Sequence, residues 1–185
     1  MRIACRMSTA RTHEVGRRAY LKALGVGALS VGAFAAPAAA HRGALQRELA
    51  SVRAATSKYA DVRKAIADGY ALGSPFVPGM GYHYVNHGYI IENHDDEVDV
   101  TKPAALVYGK NEGNGKEELI LGAVEYLFDE GPDYTGPLPD LFHGDGDDGM
   151  WGFAAGHWGL HAWIHVNNSA GTFAPFNSRP QFNEK

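Results

Sequence analysis

The hydrophobic pattern of the chain changes its period once, close to Gly69, and this change constrains the fold more than any other feature. Over residues 42–68, apolar side chains recur at spacings of three, four and seven residues, which is the stripe of an amphipathic helix. These positions are Leu45, Leu49, Val52, Tyr59, Val62 and Ile66. After Gly73 the chain continues in short runs separated by glycine and proline, which indicates strands and turns. A helix followed only by strands predicts an α+β fold.

The predicted helix over residues 42–68 would be about 40 Å long, so we expect it to kink or break near Thr56 and Ser57. Five segments have the alternation or the β-branched and aromatic content of strands. They are residues 82–86, 89–92, 104–108, 119–127 and 158–166. We expect the long N-terminal helix to pack on a curved antiparallel β-sheet or partial barrel, with a long loop at 128–150 and an irregular tail at 167–185.

The first forty residues differ in composition from the rest of the chain. They hold six basic residues and one acid, with an apolar run over 23–36 and then three alanines before the end of the segment. This order is typical of an export signal, and the adjacent Arg17 and Arg18 resemble the pair of a twin-arginine signal. We predict that residues 1–40 are removed on export, leaving one α+β domain at 41–185 without stable membrane insertion. A retained anchor and an ordinary amphipathic helix are the alternatives.

Without this segment the chain is strongly acidic and has no cysteine. Residues 41–185 carry 11 basic and 20 acidic side chains, a net charge of -9, whereas the whole chain has a net charge of -4. The excess negative charge argues against nucleic acid and anionic lipid as partners, and leaves a small molecule as the expected one. The absence of cysteine excludes a disulfide scaffold and a cysteine-based zinc site.

A glutamate lies among aliphatic side chains in the strand predicted over 119–127. In a regular strand Glu125 shares its face only with aliphatic residues. These are Leu119, Leu121, Ala123 and Leu127. A buried carboxylate needs a cation, a hydrogen-bond network or a metal, and only three basic residues lie between Lys64 and Arg179. The position of Glu125 therefore has three open explanations: a histidine or metal partner, a place at the edge of the sheet, or a salt bridge in the core.

Histidine is frequent in residues 41–185, where eight occur, and it is the commonest metal-ligating side chain. In the strand predicted over 158–166, apolar residues alternate with a second face that carries His157, His161 and His165. Successive members of this set are about 13 Å apart along a strand, so they cannot share one metal. One of them could instead join ligands from neighbouring strands.

The third candidate, His83, lies on the face of its predicted strand opposite the tyrosines on either side. His83, Glu125 and His161 would bring two imidazoles and a carboxylate from three strands, the usual ligand set of an open metal site. We predict that these residues bind zinc or copper. With a bound water, such a site supports hydrolysis or oxygen chemistry, so it stays open whether the protein is an enzyme.

Six further residues are candidates for ligand binding or for support of the metal ligands. They are Tyr82, Tyr84, His87, Tyr126, His157 and Trp163. In the first alternative to a metal, the aromatic members line a cavity and histidines hydrogen-bond a small ligand. In the second, the polar cluster only stabilises the fold of a structural cell-surface protein.

Two other metal hypotheses concern different residues. Cleavage after Ala40 would make His41 the N-terminus, whose amine and imidazole could chelate copper. Residues 145–149 resemble a calcium loop, but their acids lack the alternate spacing of such loops, so we expect a solvated acidic loop with calcium binding as the alternative.

Three segments together resemble a family of small exported proteins of prokaryotes. They are Gly79-Met80-Gly81-Tyr82-His83-Tyr84, Val124-Glu125-Tyr126 and Leu160-His161-Ala162-Trp163, followed by Asn168-Ser169-Ala170-Gly171-Thr172-Phe173. The resemblance covers most of residues 45–178 and departs at Ser169, where the family tends to have proline. That family has no settled activity, so the resemblance implies no catalytic residue. It groups His83, Glu125 and His161 as members of motifs.

Overall fold

The computed structural model describes residues 36–111, 118–142 and 150–183. Most of the predicted signal, residues 112–117 and the calcium-like loop at 145–149 lie outside these ranges, as does the side chain of His41. Within them the chain has one long helix and a six-stranded antiparallel open sheet, which is an α+β arrangement. No helix in this part of the chain has the length and hydropathy needed to cross a membrane.

The helical region is interrupted where the sequence predicts a break. Its elements are α1 (Ala36–Thr56), a 3₁₀ turn (Ser57–Ala60) and α2 (Val62–Ala67). The long helix is already present at Ala36, the first described residue, so it includes residues before the predicted start at 42. The carboxylate of Asp61 caps α2 by accepting the backbone N–H of Arg63. Gly69 ends the region with a φ of 93°, a left-handed conformation that glycine adopts without strain.

In the described chain, six strands form one sheet in the order β1-β2-β3-β4-β6-β5, with every neighbouring pair antiparallel. The strands are β1 (Ala71–Leu72), β2 (Tyr82–Val85), β3 (Ala105–Asn111), β4 (Glu118–Phe128), β5 (Gly152–Ala154) and β6 (His157–Ala162). Because β6 lies directly beside β4, residues from the last part of the chain come next to the centre of the sheet. The three strands that carry the predicted ligands are therefore near one another, since β4 and β6 are neighbours and only β3 separates β2 from β4.

A bulge in β4 changes which residues share a face. The register between β3 and β4 shifts between Val107 and Tyr108, which leaves Gly122 as an extra residue in β4. As a result, Leu121 belongs to the main core, whereas Glu125 lies on the opposite face of the sheet. The expectation that Leu119 and Leu121 share a face with Glu125 is wrong, because both pack with the main core and strict alternation holds only in a strand without a bulge.

The last strand is shorter than the sequence predicts and ends at Ala162 rather than at residue 166. Beyond it, the backbone N–H of His165 donates to the carbonyl of Gly122, the bulge residue, at 3.1 Å. The ring of His165 points away from the other strand histidines, and its Nε2 lies 2.8 Å from Thr56 Oγ1 at the end of α1. The prediction that His165 shares their face is wrong, because the strand has ended before it.

Two other local predictions differ from the structure. The strand predicted at 89–92 is reduced to a single β-bridge between Ile91 and Phe128, after a 3₁₀ turn over His87–Tyr89 that the side chain of Asn86 caps. The sequence does not predict β5, which pairs with β6 through a turn at Ala155 and Gly156. Both turn residues have positive φ, 52° and 95°, as in the two-residue turns that match the twist of antiparallel strands.

The two faces of the sheet carry different clusters of buried side chains. Val52 and Tyr59 from the helical region belong to the main cluster, and the hydroxyl of Tyr108 donates to the carbonyl of Tyr59 at 2.7 Å. The smaller cluster on the other face contains Val107, Ala123, Trp163 and Phe182. The C-terminal segment therefore covers part of that face, with Phe182 fully buried.

Candidate metal centre

Three strands bring His83, Glu125 and His161 together on the face opposite the main core. Glu125 in β4 and His161 in β6 are direct partners in the ladder, so their side chains leave the sheet side by side. His83 in β2 must reach across β3, since strands two apart are separated by about 9.6 Å. His83 pairs with Val107 of β3 and Glu125 pairs with Ala105, so the two side chains approach each other diagonally across β3.

The three side chains are buried and close together. Their exposed fractions are 9% for His83, 8% for Glu125 and 4% for His161. His83 Nε2 lies 3.7 Å from Glu125 Oε2, and His161 Nε2 lies 3.8 Å from Glu125 Oε1. One ligand atom from each residue falls within 4.8 Å of the others, so the group could hold a metal ion. Ligands of a tetrahedral zinc lie about 3.4 Å apart, so only a modest contraction is needed.

The nitrogen of His161 that faces the centre has no hydrogen-bond partner among the described residues, although it is buried. The ring is held in place by Trp163, whose ring stacks on it at 5.9 Å with an interplanar angle of 10°. Trp163 is itself fixed, because its Nε1 donates to the carbonyl of Ala174 at 2.7 Å. A buried polar atom without a partner costs about 1–3 kcal/mol, a cost that a bound metal would remove.

Ser74 determines which nitrogen of His83 carries the proton. Ser74 Oγ lies 2.9 Å from the carbonyl oxygen of Pro75 and 2.9 Å from His83 Nδ1. The carbonyl can only accept, so the hydroxyl donates to it and its oxygen accepts Nδ1–H of the imidazole. His83 Nε2 is then unprotonated and directs its lone pair toward Glu125. This is the tautomer that a metal ligand requires, held by the outer hydrogen bond usual for ligating histidines.

Burial favours the neutral form of each group. It raises the pKa of Glu125 to about 8 and lowers the pKa of His83 to about 4. Burial also lowers the pKa of His161 to about 3, with a further contribution from the neighbouring His83. At neutral pH the carboxyl therefore holds its proton and both imidazoles are neutral, so the two N–O separations do not represent ion pairs. A divalent cation would replace that proton and compensate the carboxylate.

The three side chains lie at the bottom of a cavity of about 310 Å³. His87 and His157, two of the predicted supporting residues, also line it but are more exposed. His157 Nε2 lies 3.6 Å from Asp129 Oδ1. The cavity therefore adds two outer histidines to the three inner groups.

The predicted tyrosines lie elsewhere. Tyr82, Tyr84 and Tyr126 contact the main core, because they alternate with His83 and Glu125 along β2 and β4. Tyr126 is fixed there by a 2.6 Å hydrogen bond from its hydroxyl to a backbone carbonyl. None of the three is among the described residues that line the cavity. The interpretation in which these tyrosines line a ligand cavity therefore has no support in their positions.

Two residues of the site were missed from the sequence. Ser74 lies in the segment between β1 and β2, and nothing local indicates that it contacts His83. Gly159 lies on β6, and a Cβ there would overlap Glu125 Oε1. A glycine inside a strand often marks a close approach by another group, so Gly159 did carry a signal.

Comparison of the chain with known protein families, with curated proteins and with solved structures finds no match. Function must therefore be inferred from the geometry and chemistry of the site. The resemblance of three motifs to small exported proteins of prokaryotes stays a prediction.

Proposed function

We propose that the protein binds a divalent transition metal, zinc or copper, through His83, Glu125 and His161. The observation that carries this proposal is the buried Nε2 of His161, which lacks a partner in the described chain and faces a carboxyl group and a second imidazole. Imidazole nitrogen and carboxylate oxygen are ligands that both metals accept. Three protein ligands leave a coordination position open toward the cavity, where a metal would supply a Lewis acid or a redox centre.

The chemistry of the metal-free cluster argues against a purely structural role. Three titratable groups share a buried site in which the charged form of each is disfavoured. Apolar side chains of similar volume would stabilise such a site at least as well, since buried polar clusters rarely add stability. Ser74 and Trp163 also hold the two rings in fixed orientations, as expected for ligands.

The proposed setting of the site is outside the cell. The basic segment with Arg17 and Arg18, the apolar run after it and the net charge of -9 in residues 41–185 support export by the twin-arginine route.

Contacts of Val52 and Tyr59 with the main core support the packing of the helical region on a curved sheet.

Metal analysis of the full chain, purified without an affinity tag, tests the proposal. We expect close to one zinc or copper per chain, as purified or after incubation with either metal and removal of the excess. His161→Ala should lower the affinity at least about tenfold, because it removes one of three ligands. His157→Ala is the matched control, since it lies on the same strand and lines the same cavity but is not a proposed ligand.

Two outcomes would contradict the proposal. The first is a failure of both native and metal-treated protein to retain near-stoichiometric metal. The second is a His161→Ala variant that binds metal as tightly as the original chain, which would show that the ligands lie elsewhere. Parallel titration with zinc and copper(II) identifies the preferred metal.

A further inference from the structure

We infer that the cavity above the metal centre accepts a small, predominantly apolar molecule that has one metal-ligating polar atom and no charged group at its far end. This inference rests on the proposed function, because the metal would bind the polar atom. The inference names a class of bound molecule, which the three metal-ligating residues alone do not indicate.

The size of the cavity limits the ligand. A volume of about 310 Å³ lies at the lower end of the range for small-molecule sites, which is about 300–1,000 Å³. A substituted aromatic ring or a short branched chain fits such a space. A peptide, an oligosaccharide or a nucleotide would exceed it.

The walls determine the polarity of the ligand. They are formed mainly by the apolar side chains of Val77, Met80, Val85, Leu127, Pro175 and Phe176. The buried side chains of His83, Glu125 and His161 converge at the bottom of the cavity. The other two lining histidines, His87 and His157, are more exposed. The lining within the described ranges contains neither lysine nor arginine. A charged group at the far end of the ligand would lose its hydration without gaining a cationic partner.

The rim of the cavity also carries apolar side chains. Met150 and Phe176 are among the large hydrophobic residues that the fold leaves exposed, at 39% and 42%, and both line this cavity. Exposed apolar side chains grouped at the opening of a cavity are typical of a ligand-binding site. They would cover the apolar body of a ligand whose polar atom reaches the buried histidines.

Two glycines allow a test that leaves the metal ligands unchanged. Gly152 in β5 is the ladder partner of Gly159, which faces Glu125, so Gly152 faces the cavity as well. A Cβ at Gly152 would meet nothing within 4 Å, so the backbone there accepts a side chain, and the ring of Gly152→Phe would extend into the cavity that Gly152 lines. Gly131 also has nothing within 4 Å but is exposed and does not line the cavity. Gly131→Phe is therefore the matched control.

The experiment measures the binding of three probes to the zinc-loaded full chain by calorimetry. The probes are imidazole, 4-phenylimidazole and 4-(4-carboxyphenyl)imidazole. We expect 4-phenylimidazole to bind at least about tenfold more tightly than imidazole, since burial of a phenyl ring is worth about this much or more. The carboxylated probe should lose this gain. Gly152→Phe should remove this gain, with the zinc content measured alongside to show that the metal is still bound, and Gly131→Phe should preserve it.

The inference is overturned if zinc binds but the phenyl group gives no gain, if the carboxylate is tolerated, or if Gly152→Phe has no effect. A separate measurement distinguishes this failure from that of the metal proposal. Toluene has no metal-ligating atom, and its binding to metal-free protein is followed by NMR shifts of Val85 and Leu127. If zinc does not bind but toluene does, the metal proposal fails and the apolar cavity is supported. If neither binds, both proposals are overturned.

Discussion

Replacement of Gly159 by alanine should weaken metal binding without unfolding the protein. A Cβ at this position would overlap Glu125 Oε1, whereas Glu125 Cδ would lie at 3.4 Å and Leu127 Cδ2 at 3.6 Å, which are ordinary contacts. Only the end of one flexible side chain has to move. The backbone of β6 and its pairing with β4 can therefore stay as they are.

The size of the effect follows from the displacement. Oε1 must move by about 1 Å to regain a normal van der Waals separation from the new methyl group. Metal–ligand distances in working sites vary by only about 0.2 Å, so the carboxylate would no longer share a metal with His83 and His161 in this arrangement. Loss of correct ligand placement typically lowers metal affinity about 10–100-fold. The stability of the metal-free protein should change by less than about 1 kcal/mol.

The assay is competition for zinc with a chromophoric chelator, together with thermal unfolding of the metal-free protein. Gly152→Ala is the matched control, because Gly152 is the ladder partner of Gly159 and its new Cβ would meet nothing within 4 Å. The control should bind zinc like the original chain. If Gly159→Ala also binds zinc with unchanged affinity, Glu125 is not a ligand in the position described and the reasoning is refuted.

Two further predictions concern protonation and support of the ligands. Burial raises the pKa of Glu125 from 4.5 to about 8, so the folded state holds this proton at pH values where the unfolded state has released it. The stability that this difference provides is complete below pH 4.5 and is lost as the pH rises. Metal-free protein should therefore lose roughly 2 kcal/mol of stability between about pH 6.5 and 8. The pKa values of His83 and His161 are lowered, so their losses occur as pH falls below 6.5. Urea unfolding at both pH values should show no such alkaline loss in Glu125→Gln, and a loss of equal size there would contradict the assignment. Ser74→Ala should lower zinc affinity about tenfold, because Nδ1–H of His83 loses the hydroxyl that accepts it and the tautomer is no longer fixed. Ser74→Thr keeps a hydroxyl and should retain most of the affinity. Zinc competition measures both variants, and an unchanged affinity in Ser74→Ala would exclude this positioning role.

Local sequence patterns are sufficient to predict the class of the fold and the candidate ligands. A period of 3.6 residues before Gly69 and a period of two after it depend only on local backbone geometry. They are sufficient to predict a helical region followed by strands. The same local argument identifies Glu125 as a buried carboxylate with few cationic partners and places His83 opposite its neighbouring tyrosines.

How these residues come together depends on long-range strand pairing. The bulge at Gly122 sets the face on which Glu125 lies, and the position of β6 beside β4 brings Glu125 opposite His161. Ser74 reaches His83 only because the segment between β1 and β2 folds back on the sheet. Strand order, register and bulges arise from pairing between segments far apart in the chain. Their energies are shared among many contacts, so no local pattern of residues specifies them.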